Sequence, residues 1–152
     1  MKQILIILTA SFLLSQNINA QTAEDSVKAV INQLFDAMRN ADGIKLKDTF
    51  ADSAVLQTIR RNKDGSFFVE NELVSGFIDF VAKSKKDSAD ERITYKSIKI
   101  DGPLASVWTP YKFYYAGKFS HCGVNSFQLV KINNRWKIQY LIDTRRKGIC
   151  VE

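Results

Sequence analysis

The chain is poor in the residues that most often carry reactive chemistry. It has one histidine, His121, and two cysteines, Cys122 and Cys150. That set falls short of four tetrahedral ligands at the usual spacings, so no metal is expected. The seven glycines are dispersed among turns and caps, which leaves no glycine-rich phosphate loop. No Ser-His-Asp arrangement or nucleophile elbow is present, and no cofactor is expected. Basic residues outnumber acidic ones, giving a net charge of +6. They are scattered as Arg60–Arg61, Lys83–Lys85–Lys86 and Arg145–Arg146–Lys147. Without a basic stripe interleaved with exposed aromatics, a nucleic-acid partner is not expected.

The N-terminus is the clearest feature. Lys2 precedes an apolar run, Ile4–Leu14, and a polar segment that ends in the small residue Ala20. This is the pattern of a cleavable secretory signal over 1–20. The run is too short for a membrane span, which takes ~20 residues, and no later stretch is apolar enough to serve as one. The expectation is an exported protein, periplasmic or secreted, whose residues 21–152 form a single domain. Losing Lys2 lowers the net charge from +6 to +5. In an oxidising compartment the cysteine pair suggests a disulfide, with two free thiols as the alternative.

Beyond the signal, Ala23, Val27, Val30, Ile31, Leu34, Phe35 and Met38 recur at steps of three and four and predict an amphipathic helix. Thr22 and Asp25 suggest its N-terminal cap. Asp42–Gly43 suggests its stop, with glycine in the left-handed position. A short helix over 44–50, a strand over 54–61 and its return over 66–69 follow. A third helix is capped by Asn71 and carries Leu73, Val74, Phe77, Ile78 and Val81. Strands are then expected over 92–100, 104–115, 118–132 and 135–145. Helices followed by long antiparallel strands argue an α+β domain with helices on one sheet face.

This order of elements resembles the nuclear transport factor 2-like superfamily, also called SnoaL-like or cystatin-like. The residues that carry the likeness are Phe50–Ala51–Asp52–Ser53–Ala54–Val55 and Trp136–Lys137–Ile138. The block from Trp108 to Asp143–Thr144–Arg145, with His121–Cys122–Gly123 and Phe127–Gln128–Leu129–Val130, is most similar to the lumazine-binding-protein branch. The resemblance implies a cone in which a curved sheet wraps the first helix and leaves a pocket. Members include enzymes, ligand binders and dimerisation modules, so fold alone does not assign function. Steroid-isomerase-like members carry a tyrosine on the first helix; this helix has Phe35 and no tyrosine. Dehydratase-like members use a His–Asp pair with tyrosines, for which His121, Asp143, Tyr111 and Tyr114 have the right chemistry.

Strand alternation assigns the faces. If Asn133–Asn134 is a two-residue hairpin loop, Leu129 meets Ile138, Phe127 meets Tyr140, Asn125 meets Ile142 and Gly123 meets Thr144. The same rule through Ala116–Gly117 sets Lys112 opposite His121, Trp108 opposite Asn125 and Tyr114 opposite Phe119. The inner face then gathers Trp108, Tyr114, His121, Asn125, Tyr140 and Thr144 as a ligand pocket. Val107, Tyr111, Phe113 and Tyr115 fall on the other face, where an isologous homodimer would bury them. Cys122 lies opposite Arg145, and Gly148 lets the tail turn so that Cys150 reaches it. The leading expectation is an exported small-molecule binder without catalysis. The alternatives are a small lyase or isomerase using His121 as general acid–base with Asp143, and a structural or dimerisation module with no ligand.

Overall fold

A computed structural model describes residues 22–150; the signal-peptide reading of 1–20 lies outside them. Helix α1 spans Ala23–Arg39, α2 Gly43–Thr49 and α3 Val74–Lys83. Seven strands follow one another as β1 (Phe50–Arg61), β2 (Phe67–Glu72), β3 (Ala89–Ile93), β4 (Ser97–Asp101), β5 (Leu104–Tyr115), β6 (Lys118–Ile132) and β7 (Arg135–Arg146). The sheet runs β2-β1-β7-β6-β5-β3, with β4 also paired to β5. It is mixed rather than wholly antiparallel, because β1 runs parallel to β7. The expected strand over 92–100 is two strands, β3 and β4. No helix among the described residues is long and apolar enough to cross a membrane.

The apolar stripe of α1 buries Val27, Ile31, Leu34, Phe35 and Met38 against the sheet. Phe127, fully buried on β6, packs edge-to-face on Phe35 at 6.3 Å between ring centroids. The Thr22 hydroxyl accepts from the Asp25 backbone N–H at 3.1 Å, satisfying one of the donors a helix start leaves open. The stop of α1 differs from the sequence expectation. Ala41 takes the left-handed conformation at φ +56°, and Asp42 instead caps α2 through Lys45 N–H. Gly43 is required by close packing: a Cβ there would stand 2.9 Å from Ala82 Cβ on α3. Nor does Asn71 cap α3. It lies in β2, where its side-chain oxygen accepts from Gln57 at 2.7 Å, and the N-cap of α3 is Leu73, which makes no side-chain capping bond.

The disulfide Cys122–Cys150 is formed, with 5.7 Å between Cα atoms. It ties residues 147–150 back onto β6. In the chain-entropy account, closing a loop of sequence separation 28 stabilises by about 3–4 kcal/mol. Reduction is therefore expected to lower the melting temperature in calorimetry with and without a thiol reductant, and Cys122→Ser with Cys150→Ser should match the reduced protein.

Candidate functional site

Two β-bulges decide which side chains face the helices. The β5–β6 register holds from Leu104↔Val130 to Phe113↔His121, then shifts so that Tyr114 pairs with Phe119; Ser120 is the extra residue. The β6–β7 register begins as expected, with Leu129 opposite Ile138. It then shifts past Gln139, so that Phe127 meets Leu141 and Asn125 meets Asp143. Each one-residue insertion exchanges the faces of the strand beyond it.

Between the concave face and the helices lies an open-mouthed cavity of about 490 Å³. Its walls are apolar: Leu34, Phe35 and Met38 of α1, Phe77 and Phe80 of α3, and Leu56, Phe113 and Leu141 of the sheet. Polar groups gather at the sheet side. Asp143, 8% exposed, accepts from Tyr111 Oη at 2.8 Å, from Thr58 Oγ1 at 2.5 Å and from Arg145 Nε at 3.0 Å. Arg145 also donates to Glu72 at 3.1 Å and to Thr58 Oγ1 at 2.9 Å. Beside this network, Asn125 Nδ2 donates to Glu91 Oε1 at 2.7 Å.

Tyr111 reaches Asp143 by crossing a whole strand. It sits on β5 opposite Gly123 of β6, yet its hydroxyl bonds Asp143 and the Thr144 carbonyl on β7. The ring passes over Gly123, where a Cβ would stand 2.8 Å from Tyr111 Cε1 and overlap the Thr144 carbonyl oxygen. Glycine leaves the room the polar network needs.

Of the expected pocket residues, His121 and Asn125 line the cavity and four do not. Trp108, about half exposed, pairs with Ser126 on the convex face. Tyr114 lies there too, under the Arg92 guanidinium at 4.3 Å. Tyr140 donates to Gln57 Oε1 on that side at 2.7 Å, and Thr144 Oγ1 accepts from the Val124 N–H. The expected dimer residues move the other way. Val107 and Tyr111 are buried, Phe113 lines the cavity, and Tyr115 stacks on Phe80. The Ser120 bulge accounts for the exchange on β5, and the Gln139 bulge for that on β7.

His121 and Asp143 both line the cavity, but no hydrogen bond joins them. The His121 ring packs on Tyr111 and Phe113 at 5.7 and 5.1 Å, and Nδ1 pairs with Ser120 Oγ at 3.0 Å. Burial, then the charge of Arg145, holds its pKa below the ordinary value. Among the described residues, no three of His, Cys, Asp and Glu gather as metal ligands.

Residues 22–140 match the family described as "Putative lumazine-binding". The chain belongs to this family. The match stops short of Asp143, Arg145 and Cys150. No curated protein matches the chain. Among solved structures, an NTF2-like protein of unknown function from Shewanella baltica is 15% identical, with 82% of this chain and 94% of that one covered at a TM-score of 0.65. A counterpart from Shewanella oneidensis is 18% identical over 81% and 99%, at 0.62. A cystatin-like domain of unknown function from Nostoc punctiforme is 18% identical over 83% and 78%, at 0.61. At these identities the likeness concerns the fold, which is the NTF2-like cone.

The residue that sequence reasoning missed in this lumazine-binding-family chain is Glu91. It lies just before the strand expected over 92–100, whereas β3 begins at Ala89 and Ala89, Glu91 and Ile93 alternate as one of its faces. Burial in the cavity, with the nearby Asp143 charge adding to it, pushes the Glu91 carboxyl up to about 7 despite the bond from Asn125. A folded pKa above the ordinary 4.5 means a contribution that is full below about pH 4.5 and lost as pH rises through 7. His121, with a lowered pKa, acts with the opposite sign. The Glu91 share is read as the difference between the wild type and Glu91→Gln: denaturant titrations from pH 4.5 to 7.5 should show the variant gaining relative stability as pH rises.

Proposed function

We propose that the protein is exported and binds a small, largely apolar molecule without transforming it. The observation that carries this reading is the cavity: about 490 Å³, lined mainly by apolar side chains, with a group of hydrogen-bonding residues contributed by the sheet. That is the usual make-up of a small-molecule site. The family description names lumazine; the walls of this chain argue for a class of ligand rather than for that compound. The disulfide accords with an oxidising compartment. The acid–base reading of His121 draws less support, because its ring lacks the carboxylate that orients a catalytic imidazole.

Dimerisation belongs to the same proposal, through other residues than the sequence suggested. The middle of the convex face carries Val55, Gln57, Ser106, Trp108, Ser126, Gln128, Tyr140 and Ile142, with no charged side chain among them. A charge-free, partly apolar patch suits the isologous contact of two copies, since neither brings like charges to the other.

Native mass spectrometry of protein purified from its own host tests both parts. The expected spectrum shows a dimer and an additional small mass released on denaturation. A ligand-free monomer that also fails to bind apolar fluorescent probes saturably would overturn the proposal.

A further inference from the structure

The charge at the polar end of the cavity is unbalanced. Arg145 is the cation of the inner network, and it faces Asp143 at 3.0 Å and Glu72 at 3.1 Å. Arg60 approaches Glu72 at 3.8 Å but is also paired with Glu70. Burial, and after it the charge of Arg145, lowers the pKa of His121 and disfavours its cationic form. Arg39, at the end of the helix that walls the cavity, is engaged by Asp36 and Asp90 and does not line it. Glu91 is therefore a carboxyl whose hydrogen-bond donor is the neutral amide of Asn125, set among apolar walls. A carboxylate so placed takes up a proton or a cation.

We infer that the cavity selects apolar molecules that carry a protonated amine, with Glu91 as the counter-ion and Asn125 holding the carboxylate in place. This inference rests on the small-molecule reading and narrows it. The apolar body would lie along Phe35, Phe77 and Leu141, and the ammonium would meet the Glu91 oxygen that Asn125 leaves free. An anionic ligand would face Glu91, Asp143 and Glu72, and the Arg145 that lines the cavity with them is already paired with Asp143 and Glu72. The charged groups that act on Glu91 are Asp143 and Arg145, both from β7; Tyr111 of β5 and His121 of β6 line the same cavity. The facing surfaces of α1 and α3 contribute apolar side chains, Leu34, Phe35, Met38, Phe77 and Phe80. The ionised fraction of a carboxyl with a pKa of about 7 rises about tenfold between pH 6 and pH 8, and apparent amine affinity rises with it.

The test uses three probes of one shape: 2-naphthylmethylamine, 2-naphthylmethanol and 2-naphthoate. Each is titrated calorimetrically into the oxidised protein at pH 6 and pH 8, and into Glu91→Gln. The expected result at pH 8 is that the amine binds at least tenfold more tightly than the alcohol, and the carboxylate most weakly. The amine's advantage should shrink about tenfold at pH 6 and vanish in Glu91→Gln, which should still bind the alcohol. Equal binding of amine and alcohol, a preference for the carboxylate, or an amine preference that survives Glu91→Gln would each overturn the inference while leaving small-molecule binding standing. Failure of all three probes to bind would remove the binding reading and the inference with it.

Discussion

Gly123→Ala is expected to prevent the native fold from forming. The added methyl would overlap the Thr144 carbonyl oxygen, stand 2.8 Å from the Thr144 carbonyl carbon and press equally on the Tyr111 ring. Two of these neighbours are backbone, which has no rotamer through which to withdraw. Relief would require β6 and β7 to part beside Asn125↔Asp143, and Tyr111 to lose both of its acceptors. A loss of about 4 kcal/mol or more falls in the range reserved for such overpacking. It should appear as insoluble expression or a collapsed melting temperature. If soluble protein is recovered, hydrogen exchange should be fastest along β6 and β7 near residues 123 and 145. Wild-type stability in Gly123→Ala would mean that Tyr111 does not cross the strand as described.

Asp143→Ala should produce the second large effect. Tyr111 and Thr58, both buried, would lose the carboxylate that accepts from them, and Arg145 would lose its nearest counter-ion. Removing one member of a fully buried ion pair costs about 3–5 kcal/mol. Because the Arg145 side chain is about one third exposed and can turn to water, the expected cost is about 2–4 kcal/mol. Thermal melts should fall by roughly 10 °C for a domain of this size. Asp143→Asn keeps an acceptor for Tyr111 and should recover part of the loss. If alanine proves no worse than asparagine, the hydrogen bonds to Asp143 are not what holds β5, β1 and β7 together here.

Much of the architecture is legible in the sequence because it rests on repetition. The stripe of α1 extends over five turns, and the turns at Ala116–Gly117 and Asn133–Asn134 mark their hairpins with residues that adopt positive φ. The cavity is less legible because it depends on two single residues. Ser120 and Gln139 are ordinary polar residues with no compositional signature, yet each shifts the register and so changes which side chains face the helices. One trace was available. Along β7 the buried apolar residues fall at Trp136 and Ile138, then at Leu141, so the spacing breaks from two to three at the bulge. Glu91 was hidden for a different reason. A carboxylate beside a lysine-rich loop reads as solvated, and only the pairing of β3 with β5 turns it inward.

The Gln139 bulge also gives the cavity something like a reading frame. Upstream of it, β7 presents Trp136 and Ile138 to the core; downstream, it presents Leu141, Asp143 and Arg145. Deleting that one residue would leave every side chain of the acidic cluster in the protein and turn Asp143 and Arg145 out to the convex surface, with Tyr140, Ile142 and Thr144 brought inside. The same strand thus encodes two different interiors, one polar and one nearly neutral, and the count of residues between Ile138 and Leu141 chooses between them.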